Sequence, residues 1–217
     1  MDLFSKIVKA TPVQTEQDHL RIVIVNNPKI PNRSQAILSG RTAEAIAQLQ
    51  ETARSLERAG ADFIVMPCNT AHAFFSHLEE AVSVPVVNMV EETVRKLREA
   101  MPSARKVGLL ATTGTVKARV YEKALSSRGI ETLVPDETDQ EAVMEAVMAI
   151  KEKAGHGRAE DVLRGIAGRL VERGAEAIIG GCTEVPLALG QEGVSVPFLD
   201  STEILAETAV RMAKGGR

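Results

Sequence analysis

Aromatic side chains are scarce: the 217 residues hold no Trp, one Tyr and five Phe, 3% in all. Proteins that bind single-stranded nucleic acid stack bases on such rings, so that class loses its usual platform. A surplus of charge of one sign is also absent. With 26 Lys and Arg against 29 Asp and Glu the net charge is −3, which excludes a strongly basic polyanion-binding surface. No nucleic-acid partner is expected. Long apolar runs are missing too: stretches such as Ile22 to Val25 and Phe63 to Met66 fall far short of the roughly 20 residues that cross a bilayer. The amino terminus carries no secretory h-region, so the expectation is a cytoplasmic protein with no membrane partner. Two Cys cannot make a disulfide framework in a chain of this size, and each thiol must be judged by its surroundings.

What is present is an ordinary globular composition, 44% hydrophobic and 25% charged, long enough to remove roughly 70% of the unfolded surface from water. Short runs rich in Val and Ile alternate with longer stretches of helical period, the pattern of parallel strands joined by crossover helices. The class is α/β. Strands are predicted at Leu20–Val25, Asp62–Met66, Val86–Met89, Lys106–Ala111, Glu131–Val134, Ala177–Gly180 and Phe198–Leu199. Helices are predicted at Leu3–Lys9, Ser39–Ala59, Thr70–Ala81, Glu91–Met101, Thr115–Arg128, Asp139–Lys153, Ala159–Arg173, Pro186–Leu189 and Thr202–Ala213.

An internal repeat organises these elements. The stretch from Arg58 to Cys68 matches that from Arg173 to Cys182, with Gly60 and Gly174 each eight residues before the Cys. Val82-Ser-Val-Pro85 recurs as Val194-Ser-Val-Pro197, and Glu91 and Glu203 each lie six residues past that Pro. Two pseudo-symmetric parallel-sheet halves with a cleft between them follow: residues 1–101 carrying Cys68, and 102–201 carrying Cys182, with 202–217 packing back on the first. The second half opens with the strand Lys106–Ala111 and the loop Thr112-Thr-Gly-Thr115, whereas the repeat offset of about 114 residues puts its partner before Met1. The first half is therefore expected to lack an opening strand. If that strand is central, as in many doubly wound sheets, unpaired edges result.

Each Cys falls at the carboxyl end of a buried-type strand just before a helix, where open parallel sheets place ligand sites. A helix start lowers a thiol's pKa and can hold a carboxylate. Asn69 and Thr70 follow the first Cys, Thr183 and Glu184 the second. Two such thiols on opposite sides of a cleft could remove a proton from one face of a carbon and return one to the other, inverting a stereocentre. Against this stands the plain alternative of two small buried hydrophobes; equivalent repeat positions with polar followers tip the balance to chemistry. A redox disulfide is a third reading, disfavoured in a reducing compartment. His72 lies four residues past Cys68, placed either to polarise the thiol or to serve as a structural hydrogen-bonding group; the pair alone is weak grounds for zinc. Glu184 could orient Thr183, balance charge or cap its helix.

These residues resemble a known family. Met66-Pro-Cys-Asn-Thr-Ala-His72 and Gly180-Gly-Cys-Thr-Glu184 are similar to the paired signatures of the aspartate/glutamate racemase family, particularly its aspartate racemase branch. Further motifs follow in order, among them Asn26–Arg33, Val90–Thr93, Val107–Thr115, Val134–Glu137, Lys153–His156 and Leu199–Glu203. The resemblance implies an isomerase, a racemase acting without pyridoxal phosphate or metal and so needing no cofactor, in a two-domain fold that commonly forms a homodimer. Its small-molecule substrate would be an amino acid, aspartate first. It also implies Cys68 and Cys182 as the acid/base pair, with Asn69, Thr70 and Thr183 holding the α-carboxylate or amino group. Arg33 and Lys153 would hold the side-chain carboxylate, with Lys151 close enough to exchange places with Lys153. Members of the family begin with an extra strand and a Gly-rich loop that this sequence does not contain. Rival readings are a glutamate, broad-specificity or hydantoin racemase, a maleate isomerase with a nucleophilic Cys, or, from another class, a truncated and catalytically silent protein that binds acidic metabolites.

Overall fold

The computed structural model describes residues 1–152 and 156–215. The chain opens with helix α1 (Asp2–Ala10), then an extended stretch, helices α2 (Arg33–Ser39) and α3 (Ala43–Arg58), strand β1 (Ile64–Val65), a 3-10 turn (Thr70–Phe74), α4 (Phe75–Glu79), β2 (Val86–Val87) and α5 (Met89–Ala100). There follow β3 (Lys106–Ala111), α6 (Thr113–Lys117), α7 (Val120–Ser126), β4 (Glu131–Leu133), α8 (Glu137–Lys151), α9 (His156–Glu172), β5 (Ala177–Gly181), α10 (Val185–Ala188), β6 (Phe198–Asp200) and α11 (Ser201–Ala213). All strand pairs are parallel, in a two-stranded sheet β1-β2 and a four-stranded sheet ordered β4-β3-β5-β6. The α/β class with parallel sheets stands as the alternating pattern required.

The repeat reappears at the level of single hydrogen bonds. Gly60 and Gly174 both take positive φ, 84° and 97°, which a side chain would resist. Each ends a helix in the same way, with the following N–H of Ala61 or Ala175 donating back to Leu56 or Leu170, a Schellman closure. Ile64 and Ile178 then donate to the carbonyls of Pro85 and Pro197, both at 2.9 Å. One short sequence pattern thus builds helix end, strand and neighbouring strand twice.

Four predicted elements differ from what forms. The expected strand Leu20–Val25 is extended but unpaired. The expected helix Ser39–Ala59 forms only from Ala43 to Arg58, because Gly40 turns left-handed at φ 71° and closes a separate, unpredicted helix that ends at Ser39. Thr115–Arg128 breaks at Arg119, whose φ is 54°, and Thr70–Ala81 opens as a 3-10 turn before α4. Periodicity runs through such breaks because the apolar faces on either side still point at one core.

The second sheet holds the larger core. On one face Leu110 and Ile178 pack with Val143, Val147, Leu163 and Ile166 from α8 and α9. On the other Leu109 and Ile179 meet Val94, Leu97, Tyr121 and Leu125 from α5 and α7. Helix α11 lies against α1, where Ile7 meets Ala206, Ala209 and Val210. An ion pair ties α1 to the residue that caps α11, Lys6 Nζ reaching Asp200 at 2.6 Å. No helix among the described residues is long and apolar enough to cross a membrane.

Candidate active site

Cys68 is half-buried just past β1, beside a core cluster of Met66, Ala71 and Phe74. Cys182 is buried just past β5 and packs with Val185, Leu189 and Leu110. The approach to it is built from two glycines: a Cβ on Gly180 would stand 2.8 Å from Phe198, and one on Gly181 would stand 2.6 Å from Leu109. A side chain at either position would have to push the Phe198 ring or the end of Leu109 aside.

A hydrogen-bonded path joins the two strand ends across the molecule. Asn69, next to Cys68, donates through Nδ2 to Ser201 Oγ at 3.1 Å, and Ser201 donates to the carbonyl of Gly180, two residues before Cys182, at 2.8 Å. The Tyr121 hydroxyl donates to Asn69 Oδ1 at 2.6 Å. Beside this path lies a cluster of hydroxyls. Thr70 Oγ1 is 2.8 Å from Thr112 and 2.9 Å from Thr115, and Ser34 donates to Thr112 at 3.0 Å. Because Asn69 and Thr70 spend these bonds on the protein, each fastens the Cys68 turn to the second half.

His72 takes the structural role of the two weighed. Its Nδ1 is 2.9 Å from the carbonyl of Cys68, and its Nε2 accepts from the N–H of Met89 at 3.0 Å, so the ring spans from the Cys68 turn to the start of α5. Burial drives its pKa down from 6.5 to about 4, leaving it neutral, with the proton on Nδ1 as this pairing requires.

At Cys182 the expectation of a thiol lowered by its helix start is overturned. The thiol donates to Glu184 Oε2 at 2.9 Å, and burial first, then the Glu184 charge, push its pKa well above the usual thiol value. The helix beyond it, α10, spans only four residues, too short to build a dipole that would oppose this. Thr183 also donates to Glu184 Oε2, at 3.1 Å. Lys151, the last residue of α8, places its ammonium 3.9 Å from Glu184 Oε1; Lys153 lies outside the described residues. Arg33 opens α2 and donates to the carbonyls of Ile30 and Pro31 at 3.3 and 3.1 Å. Its neighbour Ser34 is the residue that reaches the hydroxyl cluster. The sequence reading missed Tyr121, Ser201, Thr112, Thr115 and Ser34 as parts of this centre. The signal for Tyr121 was its being the sole Tyr; Thr112, Thr115 and Ser201 lie within the motifs Val107–Thr115 and Leu199–Glu203, and Ser34 directly follows Asn26–Arg33.

Comparison with known proteins decides the family. The profile described as Asp/Glu/Hydantoin racemase matches residues 1–209. The chain belongs to that family. Among solved structures it is similar to the aspartate racemase of Picrophilus torridus, with 28% identity, a TM-score of 0.85 and coverage of 100% of this chain and 89% of that one. It is 33% identical over 155 residues to the broad specificity amino-acid racemase RacX of Bacillus subtilis (strain 168), a match spanning 71% of this chain and 66% of that protein, just under two thirds of its length. It is 27% identical over 226 residues to the glutamate racemase of Deinococcus radiodurans, covering 100% of this chain and 72% of the relative.

Proposed function

We propose that this family member is an amino-acid racemase that inverts the α-carbon by proton transfer between Cys68 and Cys182, needs no cofactor, and takes an acidic amino acid, aspartate first. The observation that supports the reading is the Asn69–Ser201–Gly180 path, which links the residue after Cys68 to the backbone two residues before Cys182. Family membership supplies the reaction class, and the fold likeness to an aspartate racemase favours aspartate over glutamate. In this mechanism one sulfur takes the α-proton from one face while the thiol of the other delivers a proton to the opposite face. Negative charge that gathers on the α-carboxylate in the transition state would be met at the strand ends by Asn69, Thr70 and Thr183, which would exchange side-chain bonds now made within the protein for bonds to substrate. Arg33 offers a two-pronged fork to the distal carboxylate, and a Lys near the end of α8, Lys151 or Lys153, offers a point charge. The protein would work as a homodimer in the cytoplasm.

The test runs in deuterated water with both enantiomers of aspartate. The parent should place solvent deuterium at the α-carbon of the inverted product. Cys68→Ala and Cys182→Ala should each lose net racemisation by about 10²–10⁴-fold or more, retain folded circular dichroism, and differ in the enantiomer whose α-proton they still exchange. Near-parental racemisation by either folded variant would reject the mechanism. Turnover of neither aspartate nor glutamate by the parent would favour a silent protein that binds acidic metabolites.

A further inference from the structure

Glu184 sits where a second charge has no part in a bare two-thiol scheme. Its carboxylate is half-buried and takes three partners at once: the Cys182 thiol at 2.9 Å, the Thr183 hydroxyl at 3.1 Å and the Lys151 ammonium at 3.9 Å. Among the described residues, the titratable and charged groups facing Cys182 are Glu184 on the approach to α10, Lys151 at the end of α8 and the buried Tyr121 on α7. Leu110, Val185 and Leu189 share its core cluster. Asn69 and Thr70, the two residues after Cys68, are neutral, so that thiol has no carboxylate in the place that Glu184 takes after Cys182. The pseudo-symmetric centre is thus electrostatically lopsided.

We propose that Glu184, held by Lys151, is a positioning residue that keeps Cys182 as an oriented thiol, so that Cys182 rests as the proton-donating member of the pair. This rests on the two-thiol reading above. When Cys182 acts, its S–H bond breaks as a C–H bond forms at the α-carbon, and the sulfur left as thiolate beside Glu184 regains a proton from water. A carboxylate next to it makes that thiolate short-lived and restores the donor state. Lys151 works in the opposite sense, since a cation near Glu184 offsets part of the repulsion.

The experiment titrates the ultraviolet thiolate absorbance of Cys182 in a Cys68→Ala background, where it is the only thiol. Adding Glu184→Gln, which preserves a hydrogen-bond acceptor without charge, should move the midpoint to lower pH by about one unit, a tenfold change in the thiolate ratio. Lys151→Met should move it the other way, and Glu184→Asp should leave it close to parental. In the two-Cys protein the alkaline limb of kcat/KM against pH should fall by the same amount in Glu184→Gln. A midpoint unmoved or raised in a folded Glu184→Gln protein overturns the proposal. The titration needs no turnover, so an inert parent would sink the racemase reading while the midpoint still decides the role of Glu184.

Discussion

His72 illustrates how a residue that looks chemical can be structural. Four residues past a Cys, it reads equally as a thiol partner and as a brace, and sequence spacing cannot separate these because both nitrogens lie within reach of either target. Burial decides it: the ring is held between Cys68 and Met89, stacked on Phe75 with centroids 5.6 Å apart, and neutral. Its folded pKa of about 4 lies below the unfolded value of 6.5, so between those values the unfolded chain binds a proton that the native state refuses. Stability therefore rises with pH through this window and is lost as pH falls from 6.5 toward 4, by about 3 kcal/mol at most. Urea unfolding of the parent and of His72→Gln at a series of pH values checks this. The parent should lose more stability than the variant between pH 6.5 and 4; parallel curves would mean that His72 titrates normally. The two thiols were legible from the repeat alone. The state of Cys182 was not, because it is set by Glu184 and Lys151, and the latter approaches from a helix 31 residues earlier in the chain.

At the scale of elements, the crossing of α2 and α6 shows what periodicity cannot encode. Both helices are short, and periodicity resolves neither: most of α2 falls outside any predicted helix, and α6 runs into α7 within the single predicted helix Thr115–Arg128. Their contact depends on Gly114, since a Cβ there would stand 2.6 Å from Ser34 Cα and 2.9 Å from Ser34 Cβ. This closeness brings Ser34, the residue after Arg33, to Thr112. Gly114→Ala should therefore force the helices apart and cost about 1–3 kcal/mol, the usual range for overpacking. If Arg33 binds the distal carboxylate, KM for aspartate should rise more than kcat falls. A drop in denaturation midpoint with unchanged KM would confine the contact to structure; no change in either would mean the backbones adjust freely. The larger helices and the second sheet were legible because their apolar stripes are long and their ends are marked by residues such as Asp136, Asp200 and Gly174.

Over the whole molecule, the two sheets repeat each other except on one side of β1, where neither β3 nor β4 has a paired counterpart among the described residues. In the second, β3 lies between β4 and β5, pairing with both. In the first, β1 stands where β5 stands, paired with β2 as β5 is with β6, but among the described residues no strand lies on its other side. The stretch Leu20–Asn26 occupies the place in chain order that β4 takes in the second half, and among the described residues its backbone makes no hydrogen bond within the protein. Its β-branched residues Val23, Ile24 and Val25 are 40%, 51% and 39% exposed. Leu20 and Ile22 from this stretch, and Phe63 and Val65 from around β1, pack on the same cluster of α1 and α11. Such an edge, flanked by a second extended segment over one apolar floor, is a template for a parallel strand. A synthetic peptide with the sequence of β3, Lys106 to Ala111, should bind there and slow amide exchange at Ile22–Val25 and Ile64–Val65. At a hundredfold excess over its Kd it should add about 2.7 kcal/mol and raise Tm by about 5 °C or more. A peptide with Pro at its centre cannot complete the ladder and should do neither. Equal protection by both peptides, or protection confined to other strands, would mean that the edge of β1 is closed by its own side chains and that this departure from the repeat has no bearing on stability.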